Sequence, residues 1–441
     1  MRLTFSLVLG LTLMLTSILS HAQSTDTLRI LSYNLLNYRN NSISGCSNVN
    51  NNASTKEGHL TTVINYALPD ILVCNEIGTS DPAASFRIAS NALNQNGRSH
   101  YSFTTMQTGN RQNINSSATG NMIFWDNRKL ELQASTFIEY DPFNRALVRV
   151  IDLYTLYYKD PNLATHNDTT FLHLFVAHLK AGTSTNDQDQ RDWATDAVMA
   201  YLDSNNLDGN YLIAGDFNVY RASEAAYQNL INYPVQNLRF FDPISVSGNW
   251  TNNSPFAIVH TQSTRTAGGC GAGGGMDDRF DFILASDEVI NGTDSIQYLN
   301  GSYQALGQDG RRFNGSLTGS PANTSGVPNN VLQAMQNLSD HLPIQMDLIL
   351  KLPMITSIKE RSKAKPFTYT NPVGEQVIVE TENWVEATEV QILNMAGQII
   401  MRAPLTHKRS EINCSALQSG VYLIRLVQNG SNGKAQKLIK I

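Results

Sequence analysis

The sequence predicts an α/β fold in which two packed, mixed β-sheets are flanked by helices, a four-layer α/β/β/α sandwich, followed by a small all-β sandwich domain. Short apolar runs with the length of buried strands recur through residues 27–350, with a few helical segments between them. Nearly every run directly precedes or follows polar side chains. Polar residues at the ends of several strands should converge on one site.

The chain begins with an apolar segment that we predict to be a signal peptide, residues 1–22. Arg2 gives a short positive start, residues 3–19 carry no charge, and Ser20, His21 and Ala22 form a small-x-small cleavage site. The alternative is a membrane anchor, but the segment is short for a span and no basic stop follows it. Because no later segment is long and apolar enough to cross a bilayer, we expect an exported protein without a stable membrane span.

The first elements alternate between strand and helix. Residues 28–33 are apolar enough for a buried strand, an Asn/Ser-rich loop follows at 39–55, and residues 56–67 show helical spacing of apolar side chains. A second strand is predicted at residues 71–74. This strand–helix–strand order is typical of an α/β layer.

Further strands and helices complete the predicted sandwich. A glycine-rich segment at residues 268–275 is predicted to be a loop that enters the strand after Arg279, and the polar residues 300–337 are predicted to be a long loop. The predicted strands are residues 121–125, 146–153, 171–177, 211–214, 280–284 and 344–350, and the predicted helices are residues 188–203 and 222–230.

Composition changes after residue 350, which predicts a domain boundary. We expect a catalytic domain at residues 23–350 and a charged linker at residues 351–366. Residues 367–441 should form the all-β module, because alternating residues at 376–380, 389–393 and 421–427 are separated by turn signals.

Charge and cysteine content limit the functional classes. A formal net charge of −5 argues against a generally cationic nucleic-acid coat protein, but not against an enzyme that meets phosphate through a metal ion and arginine. Cys74 lies in an apolar run and is predicted to be a buried free thiol. Cys46 and Cys270 lie in polar or glycine-rich loops, where export permits a disulfide, although spacing alone does not fix their pairing.

Six short polar motifs at strand ends predict the functional site. Taken singly, each has a structural explanation, such as a turn cap, a surface acid or a hydrogen-bonded core histidine. Their joint occurrence predicts one site, and a carboxylate cluster with histidines suits metal-assisted hydrolysis of phosphate esters. The motif residues are Asn34, Glu76, His178, Lys180, Asp216, Asn218, Arg279, Asp281, Asp340 and His341.

The order and residue composition of these motifs over residues 27–350 resemble those of the endonuclease/exonuclease/phosphatase superfamily. The segment at residues 33–38 is similar to the first motif of secreted bacterial nucleases, and residues 215–218 are similar to the most characteristic motif of the superfamily. Asn75 departs from the glutamine that usually precedes the metal-binding glutamate. The resemblance implies catalytic roles for His178, Asp216, Asn218, Asp281 and His341, metal-site roles for Glu76, Asn34 and Asp340, and substrate binding by Lys180 and Arg279.

The resemblance implies a secreted phosphodiesterase that depends on Mg²⁺, with Mn²⁺ or Ca²⁺ as alternatives. Its expected substrate is DNA, with RNA as an alternative, and which histidine acts as the general base stays open. A phospholipid or sphingomyelin phosphodiesterase, or a phosphatase, is the alternative enzyme. A lipid-directed enzyme should carry an exposed apolar hairpin, for which Phe240 and Phe241 are the nearest candidates. A non-catalytic adhesin would be expected to lack some of the motif residues. We expect a monomer.

The C-terminal residues 365–441 resemble the type A C-terminal sorting domain of the type IX secretion system. The matching blocks are residues 370–373, 390–398 and 417–425, followed by a basic and apolar end at residues 437–441. The resemblance implies passage across an outer membrane and the type IX secretion machinery as a partner. The alternative is a carbohydrate-binding β-sandwich, which would expose more aromatic residues than Trp384 and Tyr422.

Overall fold

The structure is a computed structural model that describes residues 25–106, 119–166, 168–205, 207–352, 367–382, 384–395, 397–428 and 431–441. The chain divides into two compact units at residue 354. The predicted signal peptide lies outside the described residues, as does the predicted linker after residue 352. Among the described residues, no helix combines the length and apolar character needed to span a membrane.

The first unit mixes many strands with fewer helices, as the sequence predicts. Its strands are β1 (Thr25–Tyr38), β2 (Ile71–Gly78), β3 (Tyr101–Phe103), β4 (Thr119–Asp126), β5 (Leu130–Tyr140), β6 (Ala146–Tyr158), β7 (Phe171–His178), β8 (Tyr211–Asp216), β9 (Phe240–Phe241), β10 (Asp281–Ser286), β11 (Ile296–Tyr298), β12 (Gln304–Ala305) and β13 (Ile344–Lys351). Its helices are α1 (Ala53–Ala67), α2 (Ala84–Ile88), α3 (Leu163–His166), α4 (Thr185–Ser204), α5 (Ala225–Ile231), α6 (Asp287–Asn291) and α7 (Asn329–Leu338), with a π-helical turn at Ala89–Leu93 and 3₁₀ turns at Gln236–Leu238 and Ser254–Val259.

Both sheets of this unit are mixed. The first has the order β11-β13-β1-β2-β4-β3, with β12 also beside β13, and the second has the order β5-β6-β7-β8-β10-β9. Parallel pairing of β1 with β2 sets Asn34 opposite Asn75, and parallel pairing of β7 with β8 sets His178 opposite Asp216. Because strand β10 runs antiparallel to β8, Asp281 at its start also lies opposite Asp216.

Three apolar clusters show the predicted four layers. Residues of β1, β2 and β4 pack against α1 and α7, and residues of β7, β8 and β10 pack against α4 and α5. The third cluster lies between the sheets and takes residues from both, including Ile30, Val73, Leu174 and Met346. The predicted sandwich is confirmed, and the polar strand ends emerge where the inner layers meet.

Several elements of the first unit were not predicted, and strand β5 and helix α7 are the longest of them. Strand β5 has the exposed residues Gln133, Ala134, Thr136 and Tyr140 and pairs along β6 to form a long hairpin. Helix α7 occupies part of residues 300–337, so the prediction of a loop throughout that segment was wrong. Its buried residues Val331, Leu332, Met335 and Leu338 have helical spacing within an otherwise polar segment.

The C-terminal unit is all-β, as predicted. Its strands are β14 (Phe367–Tyr369), β15 (Gln376–Thr381), β16 (Thr388–Leu393), β17 (Ile399–Pro404), β18 (Arg409–Asn413), β19 (Gly420–Gln428), β20 (Ser431–Asn432) and β21 (Gln436–Lys440). They form one sheet of β14, β15 and β18 and another around β16 and β19. A separate apolar core that includes Val377, Val390 and Ile424 stabilises the sandwich.

The cysteines fall into two classes. Cys46 and Cys270 form a disulfide, which confirms the pairing that export permits. Cys74 and Cys414 are buried free thiols.

Candidate metal and catalytic site

Three side chains from three strands meet where the two sheets pack together. The Nε2 atom of His178 lies 3.7 Å from Oε1 of Glu76 and 3.6 Å from Oδ2 of Asp216. His178 and Asp216 are buried, and Glu76 is partly exposed. One potential ligand atom from each residue lies within 4.8 Å of the other two, so the group has the spacing of a metal site.

Asn34 joins the two carboxylates of this cluster. Its Nδ2 amide donates hydrogen bonds of 3.1 Å to both Glu76 and Asp216. The Oδ1 atom accepts a hydrogen bond from the backbone N–H of Leu36 at 2.9 Å, which fixes the orientation of the amide. Asn34 therefore positions the acidic side chains with its donor group rather than presenting an oxygen to a cation.

The backbone around Glu76 is held in an uncommon conformation. Glu76 has a φ of 59°, and Leu36 and Asn37 beside it have φ values of 45° and 49°. The N–H of Asn37 donates to Oε2 of Glu76 at 2.8 Å, and the buried Lys56 ammonium donates to the carbonyl oxygens of Leu35 and Leu36. The turn at residues 35–37 is therefore hydrogen-bonded to helix α1, and it orients the Glu76 carboxylate toward the cluster.

Asn75 connects the two sheets beneath the cluster. Its Oδ1 accepts a hydrogen bond from the N–H of Asp216 at 3.1 Å, and its Nδ2 donates to Asn121 at 2.8 Å and to the carbonyl of Ala177 at 3.3 Å. Asn75 is completely buried. The departure from glutamine at this position thus places an amide that fixes the β2 strand end against the β8 strand end.

A tight turn after β8 holds Asp216 and Asn218 together. The Oδ1 atom of Asp216 accepts a hydrogen bond of 3.0 Å from the N–H of Asn218, whose φ of 52° suits asparagine better than most residues. The Asn218 amide donates to the carbonyl of Leu179 at 3.3 Å. The turn thereby links the end of β8 to the chain segment that follows His178.

His341 is paired with a buried carboxylate, as the sequence predicts. Its Nδ1 lies 2.8 Å from Oδ2 of Asp281, and its Nε2 lies 3.7 Å from Oδ2 of Asp216. The carboxamide of Gln262 also contacts Nε2 of His341 at 2.7 Å. The carboxylate at Nδ1 fixes the ring, so that Nε2 faces the cluster.

The environment sets different protonation states for the site residues. Burial lowers the pKa of His178 well below its ordinary value, and Arg149 and His341 lower it further. Burial also acts to lower the pKa of His341, but Asp281 and Asp216 outweigh it and raise that pKa well above its ordinary value. His178 is therefore neutral and His341 is favoured in its charged form. Burial raises the pKa of Asp216 to about 7.

Asp340 lies at the edge of the site beside a glycine-rich loop. Its Oδ2 accepts hydrogen bonds from the N–H of Ala272 at 2.6 Å and from Gln262 at 3.2 Å. Among the described residues, nothing donates a hydrogen bond to its buried Oδ1 or to the buried Oδ1 of Asp281. These free carboxylate oxygens are available to a cation or to a water molecule.

Sequence reasoning missed three residues that the structure brings to the site. Arg149 of β6 donates to the carbonyl oxygens of Leu179 at 2.8 Å and of His178 at 3.4 Å, and Glu76 and Asp216 oppose the effect of burial on its pKa. A charged residue inside the apolar run at residues 146–153 was the available signal for Arg149. Lys56 and Gln262 lie in polar segments that carry no such signal.

The structure does not bring the two predicted substrate-binding residues into the cluster. Arg279 is buried and forms a two-pronged ion pair with Asp242, with distances of 2.8 and 3.0 Å, beneath the aromatic rings of Trp250 and Phe282. Lys180 pairs with Asp187 at the start of α4 at 2.7 Å. Arg279 therefore supports the strand that carries Asp281, and substrate binding by Lys180 stays a prediction.

The residues present fit a divalent cation. Glu76 and Asp216 supply carboxylate oxygens, which Mg²⁺ prefers, and the neutral imidazole of His178 adds a nitrogen donor that Mn²⁺ also accepts. A cation would also offset the repulsion between the carboxylates of Glu76, which is partly exposed, and Asp216, which is buried. The structure thus favours Glu76, Asp216 and His178 as the holding group, with Asn34 orienting the carboxylates.

The raised pKa of Asp216 makes the stability of the metal-free protein depend on pH. A carboxyl whose folded-state pKa is about 7 stabilises the fold fully below its unfolded pKa of about 3.9 and loses that contribution as the pH rises through about 7. We expect the stability of the wild type relative to Asp216→Asn to fall over this interval. Thermal unfolding in EDTA at several pH values measures it, and a pH-independent difference would contradict the assignment.

Comparison with solved structures finds distant similarities to several proteins. The catalytic domain of human Nocturnin is 15% identical with a TM-score of 0.45, covering 74% of this chain and 97% of that chain. An endonuclease/exonuclease/phosphatase family protein from Bacteroides thetaiotaomicron is 14% identical with a TM-score of 0.47, covering 75% and 98%. D. rerio TDP2 in complex with single-strand DNA product is 15% identical with a TM-score of 0.45, covering 73% and 98%. Likenesses this distant identify neither an activity nor a substrate for this chain.

Comparison of the sequence is informative for the C-terminal unit. No curated protein matches the chain. Residues 368–441 match the family described as the secretion system C-terminal sorting domain, in the segment where the resemblance to the type A module was found. The C-terminal β-sandwich is thus a secretion sorting domain, and it marks the chain for type IX secretion to the cell surface or the extracellular space.

Proposed function

We propose that this protein is an exported phosphodiesterase that requires a divalent metal ion and hydrolyses nucleic acid, with DNA as its main substrate. The observation that carries the proposal is the cluster of Glu76, His178 and Asp216 directly beside the Asp281–His341 pair. A cation site next to a charged imidazole suits the hydrolysis of an anionic ester. The order of motifs that resembles the endonuclease/exonuclease/phosphatase superfamily supports the same reaction class.

Some site residues would bind the metal ion, and others would contact the substrate. Glu76, Asp216 and His178 would hold a divalent ion, with Mg²⁺ as the physiological choice and Mn²⁺ as a substitute. A bound ion would neutralise a phosphate oxygen and stabilise the charge that develops in the transition state. Arg149, which lies beside His178 and Asp216, supplies a further positive charge for the phosphate.

Asp216 and the Asp281–His341 pair divide the proton transfers of the proposed reaction. Asp216 accepts a proton from the attacking water, whose oxygen forms the new bond to phosphorus. The imidazolium of His341 then donates its Nε2 proton to the leaving oxygen as the ester bond breaks, and Asp281 stabilises the charged ring before that step. The products are a phosphomonoester and a free hydroxyl, so that one water is consumed for each bond cleaved.

The proposal predicts metal-dependent cleavage by the full chain. We expect nicking of plasmid DNA in Mg²⁺ or Mn²⁺ that EDTA abolishes and excess Mg²⁺ restores, because without the cation the buried carboxylates repel an anionic ester. RNA and bis-p-nitrophenyl phosphate, assayed in parallel, define the substrate range. Cleavage that persists in EDTA after dialysis would contradict the metal requirement.

A second candidate, a phospholipid or sphingomyelin phosphodiesterase, is favoured by the hairpin of β5 and β6. Pairing of β6 with β7 ends at Asp152, and residues 146–151 of β6 continue alongside β5 toward the tip of the hairpin. At the tip, Phe143 is 75% exposed, whereas of the two candidates from sequence Phe240 is buried and Phe241 is 38% exposed. An exposed aromatic tip suits insertion into a lipid surface.

Phe143→Ser separates the two candidate substrates. If lipid is the substrate, this variant should lose hydrolysis of sphingomyelin vesicles and binding to them, and should retain hydrolysis of soluble bis-p-nitrophenyl phosphate. Phe86→Ser, at an aromatic position of α2 that is 60% exposed, is the matched control. If DNA is the substrate, neither change should reduce plasmid nicking, and vesicles should not be hydrolysed.

A further inference from the structure

Two loops that are distant in the sequence are covalently joined at the edge of the candidate site. The Asn/Ser-rich loop at residues 39–52 follows β1 and contains Cys46, and the glycine-rich loop at residues 268–275 contains Cys270. The two cysteines are 224 residues apart in the chain and form a disulfide. We refer to this disulfide and its two loops as the clamp.

The glycine-rich loop of the clamp lies directly on Asp340. The N–H of Ala272 donates to Oδ2 of Asp340 at 2.6 Å. A Cβ atom on Gly271 would lie 2.8 Å from the same carboxylate oxygen and 2.6 Å from Leu36, and Gly271 has a φ of +94°. The loop therefore has to be glycine at this position, and its close approach fixes the Asp340 carboxylate.

The Asn/Ser-rich loop of the clamp reaches the Glu76 side of the same site. The amide of Asn51 donates to the carbonyl of Asn37 at 2.8 Å, and the N–H of Asn37 donates to Oε2 of Glu76 at 2.8 Å. A Cβ on Gly45, next to Cys46, would lie 2.2 Å from the carbonyl oxygen of Gly269. The glycine-rich loop therefore contacts Asp340 directly, the Asn/Ser-rich loop supports Glu76 through Asn37 of β1, and the disulfide joins the loops where they touch.

We propose that the clamp is a redox-controlled positioning device, in which the Cys46–Cys270 disulfide holds Asp340 and Glu76 in their working geometry and its reduction releases the glycine-rich loop and lowers activity. The proposal rests on the proposed function for its activity readout. Closing the clamp removes two protons and two electrons from the two thiols. A disulfide of an exported thiol oxidoreductase, or a small-molecule disulfide, accepts them and becomes a dithiol.

This device would couple activity to export. Reducing cytoplasm keeps cysteine pairs as thiols, whereas the spaces outside the inner membrane permit disulfides. The chain carries a sorting domain for export, so its clamp would close only after it leaves the cytoplasm. A hydrolase of nucleic acid would then reach its full activity away from the DNA of the cell that makes it.

Hydrogen exchange on the full chain tests the clamp without an activity assay. We expect the Ala272 amide to be protected in the oxidised protein and to exchange rapidly after dithiothreitol treatment, while amides of β1 and β8 remain protected. Reoxidation should restore the protection. Unchanged exchange at Ala272 would overturn the proposal, and so would loss of protection in β1 and β8, because reduction would then unfold the whole unit.

A second experiment measures cleavage of plasmid DNA in Mg²⁺ by the wild type and by cysteine variants. We expect reduction to lower cleavage on the order of 10²-fold, as a displaced site residue can, and Cys46→Ala/Cys270→Ala to stay low in both redox states. The control Cys74→Ala/Cys414→Ala removes the buried free thiols and keeps the clamp, so it should respond to reduction like the wild type. A clamp-free variant with wild-type activity would overturn the proposal.

The two readouts separate failure of the clamp from failure of the proposed function. If the oxidised chain cleaves none of the phosphodiesters, the proposed function fails, and exchange at Ala272 still decides whether the disulfide holds the loop. If the oxidised chain is active and reduction changes neither readout, the clamp is a structural disulfide only. If the double cysteine variant does not fold, the reversible reduction of the wild type decides the question.

Discussion

Replacing His341 with alanine is expected to lower the rate of phosphodiester cleavage by about two to four orders of magnitude, the usual contribution of a general acid. The charged ring lies between Asp281, at 2.8 Å, and Asp216, at 3.7 Å, so the change removes both the proton donor and a positive charge next to the carboxylates. The effect should fall on kcat more than on KM, because proton donation takes place in the transition state. Steady-state kinetics on bis-p-nitrophenyl phosphate measures both constants.

His173→Ala is the matched control for this substitution. His173 lies on β7, stacks on Tyr211 with ring centroids 4.6 Å apart and contacts Thr155, so its removal perturbs packing without touching the site. Asp281→Asn adds a second test, because the amide keeps the shape and removes the charge that raises the pKa of His341. If His341→Ala retained activity within a few-fold of His173→Ala, the assigned role of His341 would be wrong.

Breaking the buried ion pair of Arg191 and Glu224 is expected to lower the free energy of unfolding of the catalytic unit by about 3–5 kcal/mol. Arg191 is fully buried on α4 and contacts Glu224 at 3.0 and 2.6 Å through two nitrogens. Its Nη1 also donates to the carbonyl oxygens of Lys180 and Gly182, at 2.8 Å each. Arg191→Met leaves a buried carboxylate and two carbonyl groups without these donors.

Urea unfolding of the single and double variants measures how much of the lost stability comes from leaving the Glu224 carboxylate buried without a partner. Arg191→Met/Glu224→Leu should recover part of the loss, since an apolar pair of similar volume avoids the uncompensated carboxylate. Lys159→Met, which breaks a surface pair with Glu131 at 3.5 Å, should change stability by less than about 1 kcal/mol. A loss for Arg191→Met no larger than that of Lys159→Met would show that the buried pair does not stabilise this fold.

Much of the site could be predicted because most of its residues directly follow or begin an apolar run that is recognisable as a strand. Asp216 and His178 each close an apolar strand, so their convergence follows once two parallel strands are recognised. Their partners come from β1, β2 and β10, whose apolar runs are equally clear. The apolar runs in the sequence therefore predict where the strands end. Because paired strands end at the same edge of a sheet, the polar residues that follow these runs are predicted to lie close together.

Two of the missed residues, Gln262 and Lys56, depend on tertiary contacts that leave no such signal in the sequence. Gln262 reaches His341 from an irregular segment, and Lys56 reaches the carbonyl oxygens of Leu35 and Leu36 from the first turns of α1. Arg279 shows the converse error, because its position in one motif with Asp281 led to a prediction that it binds substrate. The structure pairs it with Asp242, which lies far away in the sequence and in a segment without a motif.

The hydrogen bonds of Asn75 have a consequence for how the enzyme would lose activity. The carboxamide links a strand of one sheet to the N–H of Asp216 in the other, so the acidic residues of the site keep their spacing only while the two halves of the sandwich stay in register. A partly melted molecule in which one half survives would possess half of the ligands and no catalytic centre. Heat inactivation should therefore coincide with cooperative melting of the entire catalytic unit rather than precede it.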